Sequence, residues 1–282
     1  MIASPCLLMV APNGARRVYQ DHPAIPLTPE ELARDARGCL AAGASAMHLH
    51  VREADGRHLL DAAAYQEALS AIQDAVGDQL LLQVTSEAGG RYSPSEQRRV
   101  IEALQPEYVS IAVREWFGDA YEVHASGELC RHLASRGTHI QYIVYSPEDI
   151  YHFNNLRDKG VVPHGSAFLL CVLGRYADPP IADPGRLPGF LQALAAGDHW
   201  AVCAFGPTEG DCLALAAQQG GHARVGFENN LWRADGQLAT HNAELVADTK
   251  ARIEATGRRV MTATEARHFL ALTTNARTGV TL

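Results

Sequence analysis

Long apolar runs are what this sequence has least of. The run nearest the start, Cys6 to Val10, is five residues long before Ala11-Pro12, where crossing a bilayer takes about 20. Met1 to Pro5 carries no basic segment, so no secretory leader is expected. The six cysteines, at positions 6, 39, 130, 171, 203 and 212, form no C-x-x-C pair and no regular framework. Cys6, Cys171 and Cys203 sit inside apolar stretches, where a reduced buried thiol is the usual state, and a cytoplasmic location is the expectation. There is no basic run either: 24 Lys and Arg stand against 32 Asp and Glu, a net charge of −8. That balance argues against nucleic acid as a partner. The 24 Gly and 14 Pro show no period, which removes collagen-like and low-complexity readings.

What is present is ordinary globular composition, 47% hydrophobic and 20% charged. A chain of 282 residues fits one α/β barrel, which typically takes about 250. Short aliphatic or β-branched runs predict strands at 6–10, 46–50, 80–85, 108–112, 140–145, 167–173, 200–204 and 223–227. Their starts lie 23 to 40 residues apart, room for one helix after each. Thr28-Pro29-Glu30-Glu31 has the chemistry of a helix start, with Gly43 as its stop, and Ser93-Pro94-Ser95-Glu96 repeats the start signal. Further helices are expected over 61–76, 121–135, 147–159, 185–195, 208–219 and 239–256, with a short last one at 266–272. No linker composition interrupts the chain, so the expectation is a single-domain (β/α)8 TIM barrel over 1–282. An open doubly wound sheet is the alternative, but no G-x-G-x-x-G follows the first strand.

In such a barrel chemistry sits at the C-terminal ends of the strands. The second strand ends Met47-His48-Leu49-His50, and alternation puts His48 and His50 on one face. Neutral imidazole is the commonest metal ligand, although two histidines can also simply fill a barrel mouth. The eighth strand ends Arg224-Val225-Gly226-Phe227-Glu228, with Arg224 and Glu228 on a common face. Closure places that strand beside the first, with the second on the other side, so Glu228 can approach both histidines. Two imidazoles, one carboxylate and an open position make a catalytic divalent-metal shell. The plainer alternative for Glu228 is an ion pair with Arg224.

Ala11-Pro12-Asn13-Gly14-Ala15, His22-Pro23, Thr28-Pro29-Glu30-Glu31, His48-Leu49-His50-Val51-Arg52 and Gly220-Gly221-His222-x-Arg224-Val225-Gly226-Phe227-Glu228-Asn229-Asn230 together resemble the β-keto acid cleavage enzymes. The resemblance implies a zinc-bearing TIM barrel assembled as a homo-oligomer, a dimer or tetramer. It also implies transfer of the acyl part of a β-keto acid to the coenzyme of acetyl-CoA, releasing acetoacetate. Carried across position by position, it makes His48, His50 and Glu228 the zinc ligands, Arg224 the catalytic arginine and Thr85 an active-site hydroxyl. Zinc would act on the keto oxygen while Arg224 holds a carboxylate or orients a base.

Some positions depart from the family pattern. Asn229 stands where the family's basic Asp is common, and Arg16 where it has an acid. Gln141 and Ile143 take the place of acidic positions, Glu87 that of a glycine, and Arg114-Glu115-Trp116 that of a small polar sequence. Glu87 and Glu115 become the candidate replacement bases. Arg16 and Arg114 point to a substrate with an additional anionic group. Two other readings compete: a metal-dependent hydrolase, and a metal-bound binding protein that has lost its base. His139, His199 and His222 precede or open their strands, at the opposite barrel face, which counts against the hydrolase. The sequence leaves zinc open against Mn²⁺ or Co²⁺. Trp116, Phe117 and Trp232, in predicted loops, offer weak support for self-association.

Overall fold

The computed structural model of the chain describes residues 4–275. Residues 1–3 and 276–282, part of the expected domain range and of the leader reading, lie outside the described residues. Eight strands are β1 (Leu8–Val10), β2 (Ala46–Leu49), β3 (Leu81–Thr85), β4 (Tyr108–Ala112), β5 (His139–Val144), β6 (Phe168–Leu173), β7 (His199–Ala204) and β8 (His222–Val225). All neighbours are parallel, and β1 pairs with both β8 and β2, closing the barrel. This is the predicted (β/α)8 TIM barrel.

The helices start where local chemistry starts them. Thr28 Oγ1 accepts the Glu31 N–H and the Glu31 carboxylate accepts the Thr28 N–H, with Pro29 opening α1 (Pro29–Ala42). Such a reciprocal cap satisfies two otherwise orphaned donors. The helix stops at Gly43, whose φ of 108° is open to glycine at no steric cost. Ser93 and Glu96 repeat the box ahead of the helix Pro94–Leu104. The expected helix boundaries hold to within one turn. Two short elements escape the sequence reading: a hairpin pairing Val51–Arg52 with His58–Leu59, and a helix over Val113–Trp116. Both are too short to display a period.

Alternation along the strands separates two apolar layers. Leu8, Val10, Met47 and Leu49 face the helices, while Leu7, Met9, Ala46, Leu81 and Tyr108 fill the barrel. The final helix, Ala263–Asn275, adds Ala266 and Leu270 to the inner layer. Phe269 packs edge-on against His199 and His222 at the strand starts, with ring centroids 4.8 and 4.7 Å apart. That end is sealed by aromatic and apolar groups. The other end is filled by buried polar side chains, among them His48, Gln83, Gln141 and Arg224. Trp116 and Phe117 are buried within this chain, so they offer nothing to a partner copy; Trp232 is partly exposed. All six cysteines are buried, and none forms a disulfide among the described residues.

A buried ion pair pins the helix Pro147–Asp158 to the chain entering β7. Arg157 donates from Nη1 and Nη2 to the two carboxylate oxygens of Asp198, at 2.6 and 3.1 Å. Asp198 also accepts the Ala167 N–H. Removing one partner of such a pair strands the other's charge, typically costing about 3–5 kcal/mol. Arg157→Ala should therefore lower unfolding free energy by about that amount in urea titrations. A loss below about 1 kcal/mol, the range of exposed pairs, would contradict this account.

Candidate active site at the C-terminal mouth

The site is built from two strand ends and the loop after β1. His48 is on β2 and in register with Gln83 of β3. Gln83 Oε1 lies 2.7 Å from His48 Nδ1, and Gln83 Nε2 donates in turn to Gln141 Oε1 at 3.1 Å. An Nδ1–H given to Gln83 leaves the lone pair of His48 on Nε2. His50 follows two residues on, and Asn13 fixes its backbone by donating to the His50 carbonyl at 2.9 Å and accepting its N–H at 3.3 Å. The two Nε2 atoms face each other at 3.1 Å.

Glu228 completes the group from a turn, not from the strand. β8 ends at Val225, and Gly226 adopts φ 139°; a Cβ there would lie 2.5 Å from the Ala11 carbonyl oxygen. The chain then folds back, with the N–H groups of Asn229 and Asn230 both donating to the Gly226 carbonyl. Gly14 permits the close approach from the other side, since its Cβ would sit 2.5 Å from Glu228 Cγ. Arg17 donates to the Phe227 carbonyl at 2.5 Å, and Arg52 donates to the Asn13, Gly14 and Arg17 carbonyls, tying loop to turn. Beneath the turn, buried Glu209 accepts from Asn230 Nδ2 at 3.1 Å and from the Gly226 N–H at 3.4 Å. Burial, partly offset by those hydrogen bonds and by Arg17 and Arg224, pushes the Glu209 carboxyl up to about 8.

The Glu228 carboxylate is divided. Oε1 accepts from Arg224 Nη2 at 2.7 Å, and Oε2 lies 3.6 and 3.5 Å from the Nε2 atoms of His48 and His50. Oε2 is buried without a hydrogen-bond partner. Burial pushes the carboxyl up most strongly, but Arg224 together with the neighbouring His50 and His48 outweighs it and holds Glu228 well below the usual range. Burial and the same Arg224 hold His48 well below the usual imidazole value. The group is thus one carboxylate facing a neutral imidazole, with three ligand atoms all within 4.8 Å of one another. An orphaned anionic oxygen between two ring nitrogens is the donor set of a small divalent cation.

A cavity opens over this group. Of the residues singled out in the sequence, His48, Thr85, Glu87, Arg16, Arg224 and Glu228 line it. Glu87 Oε2 is 3.9 Å from His50 Nε2, and Thr85 Oγ1 accepts the Glu87 N–H at 3.0 Å. Four others are not among its wall residues: His50, which meets the group through its Nε2, and Arg114, Glu115 and Asn229. Arg114 donates from Nε to Asp149 at 2.6 Å and stacks on Tyr145 and Tyr176 in a neighbouring crevice. Glu115 is turned under the loop, accepting the Ala88 N–H at 2.9 Å and Gln97 Nε2 at 2.7 Å. Asn229 is fully buried, its amide atoms unpartnered, and is not among the cavity residues. Arg175, Tyr145 and Phe205 line the cavity without having been singled out. Gln83 was open to inference from register, being opposite His48; Arg175, on a loop, carried no such signal.

The fold and site define an α/β barrel whose working groups gather at the C-terminal mouth. The beta-keto acid cleavage enzyme family matches residues 5–272, and the chain belongs to that family. It is 30% identical over 276 residues to the 3-keto-5-aminohexanoate cleavage enzyme of Fusobacterium nucleatum, covering 94% of this chain and 97% of that one. It is 27% identical to the 3-oxoadipate:acetyl-CoA acetyltransferase of Cupriavidus necator, covering 96% of each. Among solved structures, a binary complex of ObcA with oxaloacetate superimposes with a TM-score of 0.72 at 16% identity, over 88% of this chain and 67% of that one. The last likeness concerns the fold.

The donor geometry leads to a metal measurement. His48→Ala combined with His50→Ala should abolish stoichiometric divalent metal in purified protein. Gln83→Leu, which removes only the partner orienting His48, should weaken metal affinity about 10–100-fold in chelator competition. Full retention by the double variant would rule the cradle out.

Proposed function

We propose that this protein catalyses β-keto acid cleavage with acetyl-CoA, using a divalent ion at His48, His50 and Glu228. In the net reaction the C2–C3 bond of the keto acid breaks. Its acyl group passes to the coenzyme sulfur, and its two-carbon carboxylate fragment joins the acetyl carbon, giving acetoacetate and a new acyl-CoA. The observation that carries the reading is the ionised Glu228 Oε2, unpartnered between two imidazoles at the base of a cavity, in a chain of this family. A divalent ion bound there, for which zinc is the proposal over Mn²⁺ or Co²⁺, supplies Lewis-acid polarisation of the keto oxygen.

The chain's own residues do the rest. Arg224 holds Glu228 in its charged form and keeps its own cation at the cavity wall. Glu87 offers a cavity-facing carboxylate as proton acceptor, the role that an amide at Asn229 cannot fill. Thr85 fixes the Glu87 backbone. Glu115 supports that loop from below through the Ala88 N–H, a positioning role. Cys203 is no nucleophile: burial pushes its thiol up to about 11, only partly opposed by Arg224.

Arg16 lines the cavity with no carboxylate partner among the described residues. It suits a substrate with a distal anionic group, and the Cupriavidus relative, by its name, takes 3-oxoadipate, a keto acid with a second carboxylate. The hydrolase reading loses support because the strand-opening histidines lie at the sealed barrel end. The binding-protein reading rests on Asn229 alone. Self-association is also part of the proposal, with exposed Trp232 and Leu238 on the surface; a monomeric mass at micromolar concentration would exclude it.

The deciding assay follows acetyl-CoA-dependent formation of acetoacetate from a panel of β-keto acids. Glu87→Gln should abolish turnover while metal content stays intact. Arg16→Ala should raise KM for a dianionic keto acid about tenfold to a hundredfold, the worth of a charge-assisted hydrogen bond, and spare a neutral-tailed one. Equal effects on both acids would remove the charge argument, and inactivity towards every acid would favour a binding protein.

A further inference from the structure

The cavity over the metal cradle measures about 160 Å³. A void of roughly 150 Å³ accepts a ligand the size of benzene. A short keto acid fits such a space; a nucleotide-bearing coenzyme does not. If acetyl-CoA reacts there, its thioester end must enter while its nucleotide end rests outside.

Beside the cavity is a crevice lined by three guanidinium groups, Arg114, Arg175 and Arg186, and by no carboxylate. It shares Tyr145, Val172 and Arg175 with the cavity, so the two spaces adjoin across these side chains. Arg114 is committed: Asp149 takes its Nε, Ser146 Oγ accepts from Nη2 at 3.1 Å, and its plane stacks on Tyr145 and Tyr176. Arg175 stacks on Tyr176 and on Phe205, its guanidinium carbon 5.6 and 5.5 Å from the ring centroids. Neither Arg175 nor Arg186 has a carboxylate within ion-pair distance among the described residues. Glu148 lies within the field of Arg114 and Arg186 but does not line the crevice.

The loop that carries Arg175 is itself anchored at both ends. Gly174 adopts φ 83°, and a Cβ there would lie 2.6 Å from the Ala182 nitrogen, so the loop returns on itself at this point. The Ala182 N–H donates to the Phe205 carbonyl at 2.8 Å, tying down the far end of the loop. Arg175 is therefore presented by an anchored segment, with aromatic faces holding its planar head.

We propose that this crevice binds the phosphate groups of the acyl-carrying coenzyme, with Arg186 and Arg175 as direct phosphate contacts. Planar guanidinium groups with no internal partner suit phosphate oxygens, to which they donate paired hydrogen bonds. Arg175, at the shared wall, marks where the coenzyme's arm turns from crevice to cavity. The inference rests on the proposed use of acetyl-CoA, but its test does not need turnover. The alternative source of an anion, the substrate's distal carboxylate, belongs to Arg16, which lines the cavity alone, whereas Arg186 lines the crevice alone.

Adenosine 3′-phosphate 5′-diphosphate, the thiol-free nucleotide part of the coenzyme, is titrated calorimetrically into the metal-loaded wild-type protein and Arg186→Gln. Arg186 is exposed and its side chain makes no hydrogen bond among the described residues, so its replacement removes no hydrogen bond there. The expected result is wild-type binding that acetyl-CoA displaces, weakened about tenfold or more in Arg186→Gln and in Arg175→Gln. In turnover, Arg186→Gln should raise KM for acetyl-CoA about tenfold and leave KM for the keto acid unchanged. Absent nucleotide binding in the wild type, or equal affinity in the variant, overturns the proposal. So does a rise confined to the keto acid's KM, which would give the crevice to the substrate. Arg186-dependent nucleotide binding in a protein that cleaves no β-keto acid would keep the crevice and discard the reaction.

Discussion

The Glu228 carboxylate meets two demands at once, and the rest of the mouth is arranged around that division. One oxygen neutralises Arg224, a guanidinium buried at the top of the barrel. An unpaired cation there would carry a penalty of several kcal/mol. The other oxygen faces His48 and His50 with no donor of its own. The ion pair thus does more than stabilise: it keeps the carboxylate ionised in a buried setting, where burial alone would favour a proton. Arg224 is the largest of the contributions that maintain that charge.

The same division separates the two ends of the barrel. At the strand starts, Phe269 and the apolar inner layer seal the interior, and Arg157–Asp198 fixes the approach to β7. These features consolidate the fold. At the strand ends the inner positions turn polar, and Gln83, Gln141 and Asn13 are spent on orienting imidazoles and backbone. Each such residue replaces an apolar side chain that would have packed at lower cost. The C-terminal mouth is therefore less favourable for folding and better organised for chemistry, as the location of function in this architecture requires.

Much of this was legible in the sequence because it rests on short-range rules. Strand alternation placed His48 and His50 on one face, and barrel closure brought β8 next to β1. The caps at Thr28 and Ser93 were readable as side chain and spacing. Glu228 reached the expected place by a different route: Gly226 breaks the strand, and a turn, held by Arg17 and Glu209, presents the carboxylate. The placement of Arg114, Glu115 and Asn229 away from the cavity wall was not legible, since all three lie beyond strand ends. There, periodicity no longer sets direction. Arg114 is claimed by Asp149, 35 residues away, and Glu115 by the Ala88 N–H and Gln97. Which partner captures a long charged side chain depends on tertiary contacts that no local pattern records.

That difference in legibility has a consequence for how such a site changes. His48 and Gln83 are held by strand register, so a shift in either moves the whole barrel wall. Arg16 lies on the loop following β1 and Arg175 on the loop following β6, each attached to the frame at a few points. These groups line the cavity without belonging to the strands that hold His48 and Gln83. Arg175 shows how the loop side chain is held in the absence of strand register: its guanidinium lies over the Tyr176 and Phe205 rings, with no carboxylate in ion-pair distance among the described residues. Stacking orients a guanidinium without consuming its hydrogen bonds. An ion pair would consume them, as Asp149 does for Arg114. The arginines at this mouth therefore differ in which of the two forces holds them.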